Sequence, residues 1–117
     1  MPQTKLTSFA EVQQFITSVL TQNGQMGDVA NAPHAAFWNT MTYQQFTTGN
    51  VPNINPSVPI LVVGDSANSN LIQALQGVGP LFGPNGSYGQ MPADGPPFFT
   101  QDQIDSIAAW IDAKCPQ

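Results

Sequence analysis

His34 is the only histidine in the chain, so any chemistry that needs an imidazole, as ligand or as base, must pass through it. It follows Pro33 at the start of a segment with good helical tolerance, where the partial positive charge of a helix N-terminus favours the neutral, metal-binding imidazole. Together with Met26, Met41 and Met91 it makes a soft donor set, thioether plus imidazole, of the kind that Cu(I) prefers. The spacing of these four matches no compact ligand motif, and methionines that fill a small core account for the same residues. Zinc is disfavoured, because one histidine and one cysteine leave too few nitrogen and sulfur ligands. Cys115 has no partner for an internal disulfide; it is read as a packed thiol, with an intermolecular disulfide or a lipid-type linkage as alternatives.

No hydrolytic set can be assembled. A triad would have to use His34, and no Gly-x-Ser-x-Gly turn lies near it. The acidic residues fall mostly at helix caps and on exposed faces, which leaves a catalytic carboxylate pair unsupported. The stretch GPNGSYG is glycine-rich but has neither a lysine nor a preceding strand, so it is not a phosphate loop. A further group with chemical potential is aromatic. Phe37, Trp38, Tyr43 and Phe46 are suited to lining a pocket for a flat ligand, with Phe82, Tyr88, Phe98 and Phe99 closing its other side, or to filling a core.

The elements that position these residues are legible as helices. Ser8 and Glu11 read as a capping box, after which Phe9, Val12, Ile16, Val19 and Leu20 recur at helical spacing as far as Gly24; this predicts a helix over 8–21. Residues 22–31 carry two glycines and no periodicity, and read as a loop. Pro33 opens a short helix over 33–39, and Thr42 with Gln45 caps another over 43–48, stopped by Gly49. The prolines at 52, 56 and 59 make 50–59 an irregular connection, and 60–63 an isolated extended piece. Ser66 or Asn68 is expected to cap a helix carrying Leu71, Ile72 and Leu75 and ending at Gly77. From Val78 to Phe99 five glycines and five prolines predict a long wrapped loop. Thr100 and Gln103 then cap a last helix with Ile104, Ile107, Ala108 and Ile111 as its buried stripe and Trp110 beside it. Asp102 and Asp105 in its first turns and Lys114 in its last suit the helix dipole.

Composition bounds the remaining choices. A chain of 117 residues with 41% apolar content builds one core, so a single domain over 1–117 is expected. Two basic residues against seven acidic ones give a formal charge of -5, and no cationic face is left to bind a phosphate backbone; nucleic acid is excluded as a partner on this ground. No apolar run is long enough to span a bilayer. The 8% charged content, with Asn, Gln, Ser and Thr supplying the polar surface, points to a periplasmic or secreted protein. No basic segment followed by an apolar one opens the sequence, so any export signal is expected to have been removed.

The segment MPADGPPFFTQDQIDSIAAWIDAKCP, 91–116, resembles the end of small bacterial class I cytochrome c domains, where a Met-Pro loop precedes a terminal helix bearing Trp-Ile-Asp. Upstream, VVGDSANSNLIQAL resembles the Pro-Gly-Asp-x-x-x-Ser-x-Leu helix of that family, and SFAEVQQFITSVL its N-terminal helix. Order and spacing agree over about two thirds of the chain. The resemblance implies an all-α, cytochrome c-like fold of about four to five helices joined by long Gly/Pro-rich loops. It also implies that the first and last helices cross, through residues such as Phe9, Val12, Ile107 and Trp110.

The chain departs from the family at the haem-attachment motif. Where relatives carry Cys-x-x-Cys-His after the first helix, this sequence has LTQNG followed by QMGDVANAPHAAFW, with no cysteine. Thioether bonds to haem cannot form, and no histidine stands at the family's proximal position. Two expectations follow from the resemblance. In one, haem binds without covalent bonds, with His34 and Met91 as axial ligands, Phe37, Trp38 and Tyr43 around it, and electron transfer to a redox partner as the role. In the other, the domain has lost haem, filled its pocket with aromatics, and serves as a binding or accessory module; a Cu(I) site using His34 and methionines is a variant of this second reading.

Overall fold

The computed structural model describes residues 5–27, 37–51, 58–83, 91 and 98–117. Among these residues regular structure is helical, with no strand and one isolated antiparallel bridge between Asn50 and Pro59. The fold is all-α in this sense, as the periodicity predicts.

Helix α1 (Phe9–Gln22) buries Phe9, Val12, Ile16, Val19 and Leu20, the stripe read from the sequence. Its N-terminus differs in detail from a capping box. The Ser8 side chain accepts from the Glu11 amide as expected, but the Glu11 carboxylate reaches past Ser8 and takes both the amide and the hydroxyl of Thr7, each at 2.7 Å. At the other end the Gly24 amide bonds the Thr21 carbonyl and the Gln25 amide bonds that of Leu20. This turn needs the left-handed φ of 71° that glycine adopts without penalty.

Two short helices follow, α2 (Phe37–Thr40) and α3 (Tyr43–Thr48). The part of the expected 33–39 helix that precedes Phe37 lies outside the described residues. The Thr42/Gln45 capping box is complete, with side chain to backbone bonds in both directions. The chain turns extended at Gly49, where only glycine fits, because a β-carbon there would sit 2.4 Å from the Gln45 carbonyl oxygen.

The chain then pairs 49–51 with 58–60, through Val51 N–H to Val58 O and Ile60 N–H to Gly49 O. The expected helix start at Ser66 or Asn68 is displaced. Asp65 caps a 3₁₀ turn (Ser66–Asn68), and α4 (Asn70–Gln76) begins only after Ser69. Ser69 does not cap α4, since its fully buried hydroxyl is spent on the preceding loop, accepting from Val62 N–H and donating to Asp65 O, both at 2.9 Å. The competing loop bonds move the helix start by one to three residues. Within the stretch read as one long loop, residues Gly79–Phe82 form a further helical turn, α5.

Helix α6 (Gln101–Asp112) carries the second complete capping box, Thr100 with Gln103, and buries Ile104, Ser106, Ile107, Trp110 and Ile111. Lys114 lies beyond its end instead of in its last turn, with φ 70°. The two long helices meet through Phe9 and Trp110, whose rings stack with centroids 6.5 Å apart. The loop before α4 is tied to the end of α6 by Gly64 N–H to Ile111 O, and by Ser66, whose amide and hydroxyl donate to the two Asp112 carboxylate oxygens.

Candidate functional site

Of the aromatic residues singled out in the sequence, Phe37, Trp38, Tyr43 and Phe46 converge with α1 and α6. Phe46, fully buried on α3, is the centre of the group: its ring lies 5.3 Å from Phe9, 6.1 Å from Phe37 and 6.3 Å from Trp110. Phe37 meets Trp38 edge-on at 5.6 Å, and Tyr43 meets Phe9 edge-on at 5.8 Å. These separations fall in the range of favourable ring pairs, so each contact adds to the burial of apolar surface. Phe37, Trp38 and Tyr43 thus face one another's neighbours in a continuous cluster.

Trp38 is held by a polar clamp on α1. Its indole N–H donates to the Thr17 hydroxyl at 3.0 Å, Gln13 Nε2 donates to the Trp38 carbonyl at 2.8 Å, and Asn39 Nδ2 shares the Thr17 oxygen at 3.0 Å. Gln13 and Thr17 were not visible as site residues in the sequence. The one signal was their spacing of four, which puts both on a single face of α1 beside the apolar stripe. Tyr43 is half-buried, and its hydroxyl donates to the Cys115 carbonyl.

Met91 is half-buried, and its main-chain N–H donates to the Ala74 carbonyl on α4 at 2.8 Å. That bond places Met91 against the last turn of α4. His34, the other proposed axial ligand, lies outside the described residues, as does Tyr88. Met26 and Met41 pack at the margin of the main core cluster, Phe82 and Phe99 are buried, and Phe98 is half-buried. Cys115 is fully buried, and its removal from water pushes the thiol pKa up to about 11, which keeps it protonated and unreactive near neutrality.

A shallow cavity of about 660 Å³ opens over α2 and α3 between Thr40, Met41, Gln44, Thr48 and Gly49. Much of its polar lining is already engaged: the Thr40 hydroxyl donates to Phe37 O, that of Thr48 to Gln44 O, and Thr42 and Gln45 serve each other in the cap. Among the described residues no three His, Cys, Asp or Glu side chains gather as a metal site.

Comparison with protein-family models, with curated proteins and with solved structures gives no match. Among the described residues, no helix is long and apolar enough to cross a membrane.

Proposed function

We propose that this chain is a cytochrome c-like helical domain that works without haem, as a binding or accessory module whose interior is occupied by its own aromatic side chains. The observation that carries this reading is the position of Phe46, with no exposed surface and three aromatic neighbours within 6.3 Å. Filling of this kind stabilises the domain without a prosthetic group, since each buried aromatic side chain contributes roughly 1.5–3 kcal/mol by burial. The absence of a Cys-x-x-Cys pair supports it, because covalent attachment is the feature by which the resembled family retains haem. The low charged content fits a periplasmic or secreted setting.

A second reading, non-covalent haem held by His34 and Met91 for electron transfer, draws support from the bond that anchors Met91 to α4. Haem bound this way would supply the redox couple, and this chain's part would be to hold Met91 against α4 through its main-chain bond to Ala74. The copper variant of the haem-free reading would use His34 with Met26, Met41 and Met91, and the packing of Met26 and Met41 against the core already accounts for those two.

An absorption spectrum and metal analysis of the purified protein, followed by titration with haemin, separate these readings. The module reading expects no stoichiometric Soret shift and no bound copper or iron. A one-to-one Soret band that His34→Ala and Met91→Ala each weaken would overturn it in favour of the second reading.

A further inference from the structure

We propose that segment 114–116 is a strap that opens as a unit of its own, uncovering the edge of the aromatic cluster while α1 and α6 stay folded. This inference is independent of what the domain binds. The strap is held by two groups of contacts. The Lys114 amide bonds Ile111 O at 2.9 Å and the Cys115 amide bonds Trp110 O at 3.0 Å, the pair of bonds that closes a helix end. Two aromatic side chains then grip it from the cluster, Tyr43 through its hydroxyl to Cys115 O, and Trp110 through its indole N–H to Pro116 O at 2.9 Å.

Against these contacts stands the backbone. Lys114 and Cys115 occupy successive left-handed conformations, with φ of 70° and 52°. A β-carbon in that region lowers the closed population by roughly 5–30-fold per residue relative to glycine. Opening releases this strain at both positions. It breaks four hydrogen bonds and uncovers the Cys115 side chain, and the donors it frees, the Lys114 and Cys115 amides, an indole N–H and a phenol, are readily taken up by water. The rings themselves remain packed, because Trp110 stacks on Phe9 and meets Phe46 at a tilt, and Tyr43 meets Phe9 edge-on, without help from the strap. Release thus exposes the Tyr43 and Trp110 edges and the Cys115 socket on an otherwise intact domain.

Cys115 reports the motion directly. Closed, its thiol is covered and protonated; open, it regains the acidity and access of an ordinary cysteine. The test is the rate of Cys115 labelling by a disulfide reagent at about pH 8 across a urea series, measured beside global unfolding by circular dichroism. Opening of the strap predicts labelling with a shallower urea dependence than global unfolding, and protection at least tenfold weaker. Tyr43→Phe, which removes one closing hydrogen bond, should speed labelling about fivefold. Lys114→Gly, which removes one strained position, should slow it about threefold, the added backbone entropy of glycine offsetting part of the gain. Labelling with the full slope and free energy of global unfolding would overturn the proposal, as would labelling as fast as in an unstructured peptide.

Discussion

Replacing Trp110 tests the junction on which the fold depends. The side chain is 1% exposed, stacks on Phe9 at 6.5 Å and lies at a tilt to Phe46 at 6.3 Å, while its indole N–H bonds Pro116 O. Truncation of a buried tryptophan to alanine costs about 3–5 kcal/mol through lost burial and the cavity left behind. Trp110→Phe keeps one ring in the stack and loses the N–H and the second ring, so its cost should be smaller, about 1.5–2.5 kcal/mol, of which the hydrogen bond supplies about 1. For a domain of this length each kcal/mol moves the thermal midpoint by roughly 3–5 °C, so the alanine variant should melt some 10–20 °C lower. Urea denaturation followed by circular dichroism reads the same loss as a lower midpoint with an unchanged slope. A cycle with Phe9→Ala isolates the stacked pair, for which a coupling of about 0.5–1.5 kcal/mol is expected. An alanine variant within about 1 kcal/mol of the parent, or zero coupling in the cycle, would refute the idea that α1 and α6 are joined through this contact.

Two further outcomes follow from local geometry. Gly49→Ala places a β-carbon 2.4 Å from the Gln45 carbonyl oxygen, a backbone atom that can move only by unwinding the end of α3, so a loss of about 1–3 kcal/mol in urea is expected. The Glu11 carboxylate is held below its usual pKa, first by the Thr7 amide and then by the Thr7 hydroxyl. A depressed folded-state pKa stabilises above the unfolded value of 4.5, and that contribution is lost as pH falls through the folded-state value. The stability difference between the parent and Glu11→Gln should therefore be present at pH 7 and vanish in strong acid; a pH-independent difference, read from paired urea curves, would count against the Thr7 contact.

What the sequence disclosed, and what it concealed, divides along the range of the interactions. The two long helices, their buried stripes and the boxes at Thr42 and Thr100 were legible because cap and periodicity are local, written within four residues of one another. The start of α4 was misplaced because Ser69, a good N-cap by type, gives its hydroxyl to Val62 and Asp65 instead, a choice that depends on how the 58–66 loop folds back. Glu11 similarly left the box for Thr7, one residue outside the pattern that would have predicted it. By charge Lys114 suits the last helical turn, yet it sits past the helix end in a conformation more typical of glycine. The aromatic residues were found by type, but their mutual packing was not deducible, since Phe9 and Trp110 are about a hundred residues from each other and neither has a local signal for the other.

The same long-range contacts bear on the candidate site. Phe46 reaches Phe9 on α1, Phe37 on α2 and Trp110 on α6, so one ring on α3 couples three other helices. A cluster that joins elements in this way contributes to stability at every contact, and opening it to admit a large flat group would forfeit several ring pairs of about 0.5–1.5 kcal/mol each, beyond the burial they share. On the proposed reading this is why the interior would resist a prosthetic group, while the margin, where Tyr43 and Trp110 hold residues 115 and 116, is the part proposed to open. Substitutions at Phe46 should therefore act on folding first, and substitutions at Tyr43 on the exposure of that margin, so the two residues separate the stability of the cluster from its accessibility.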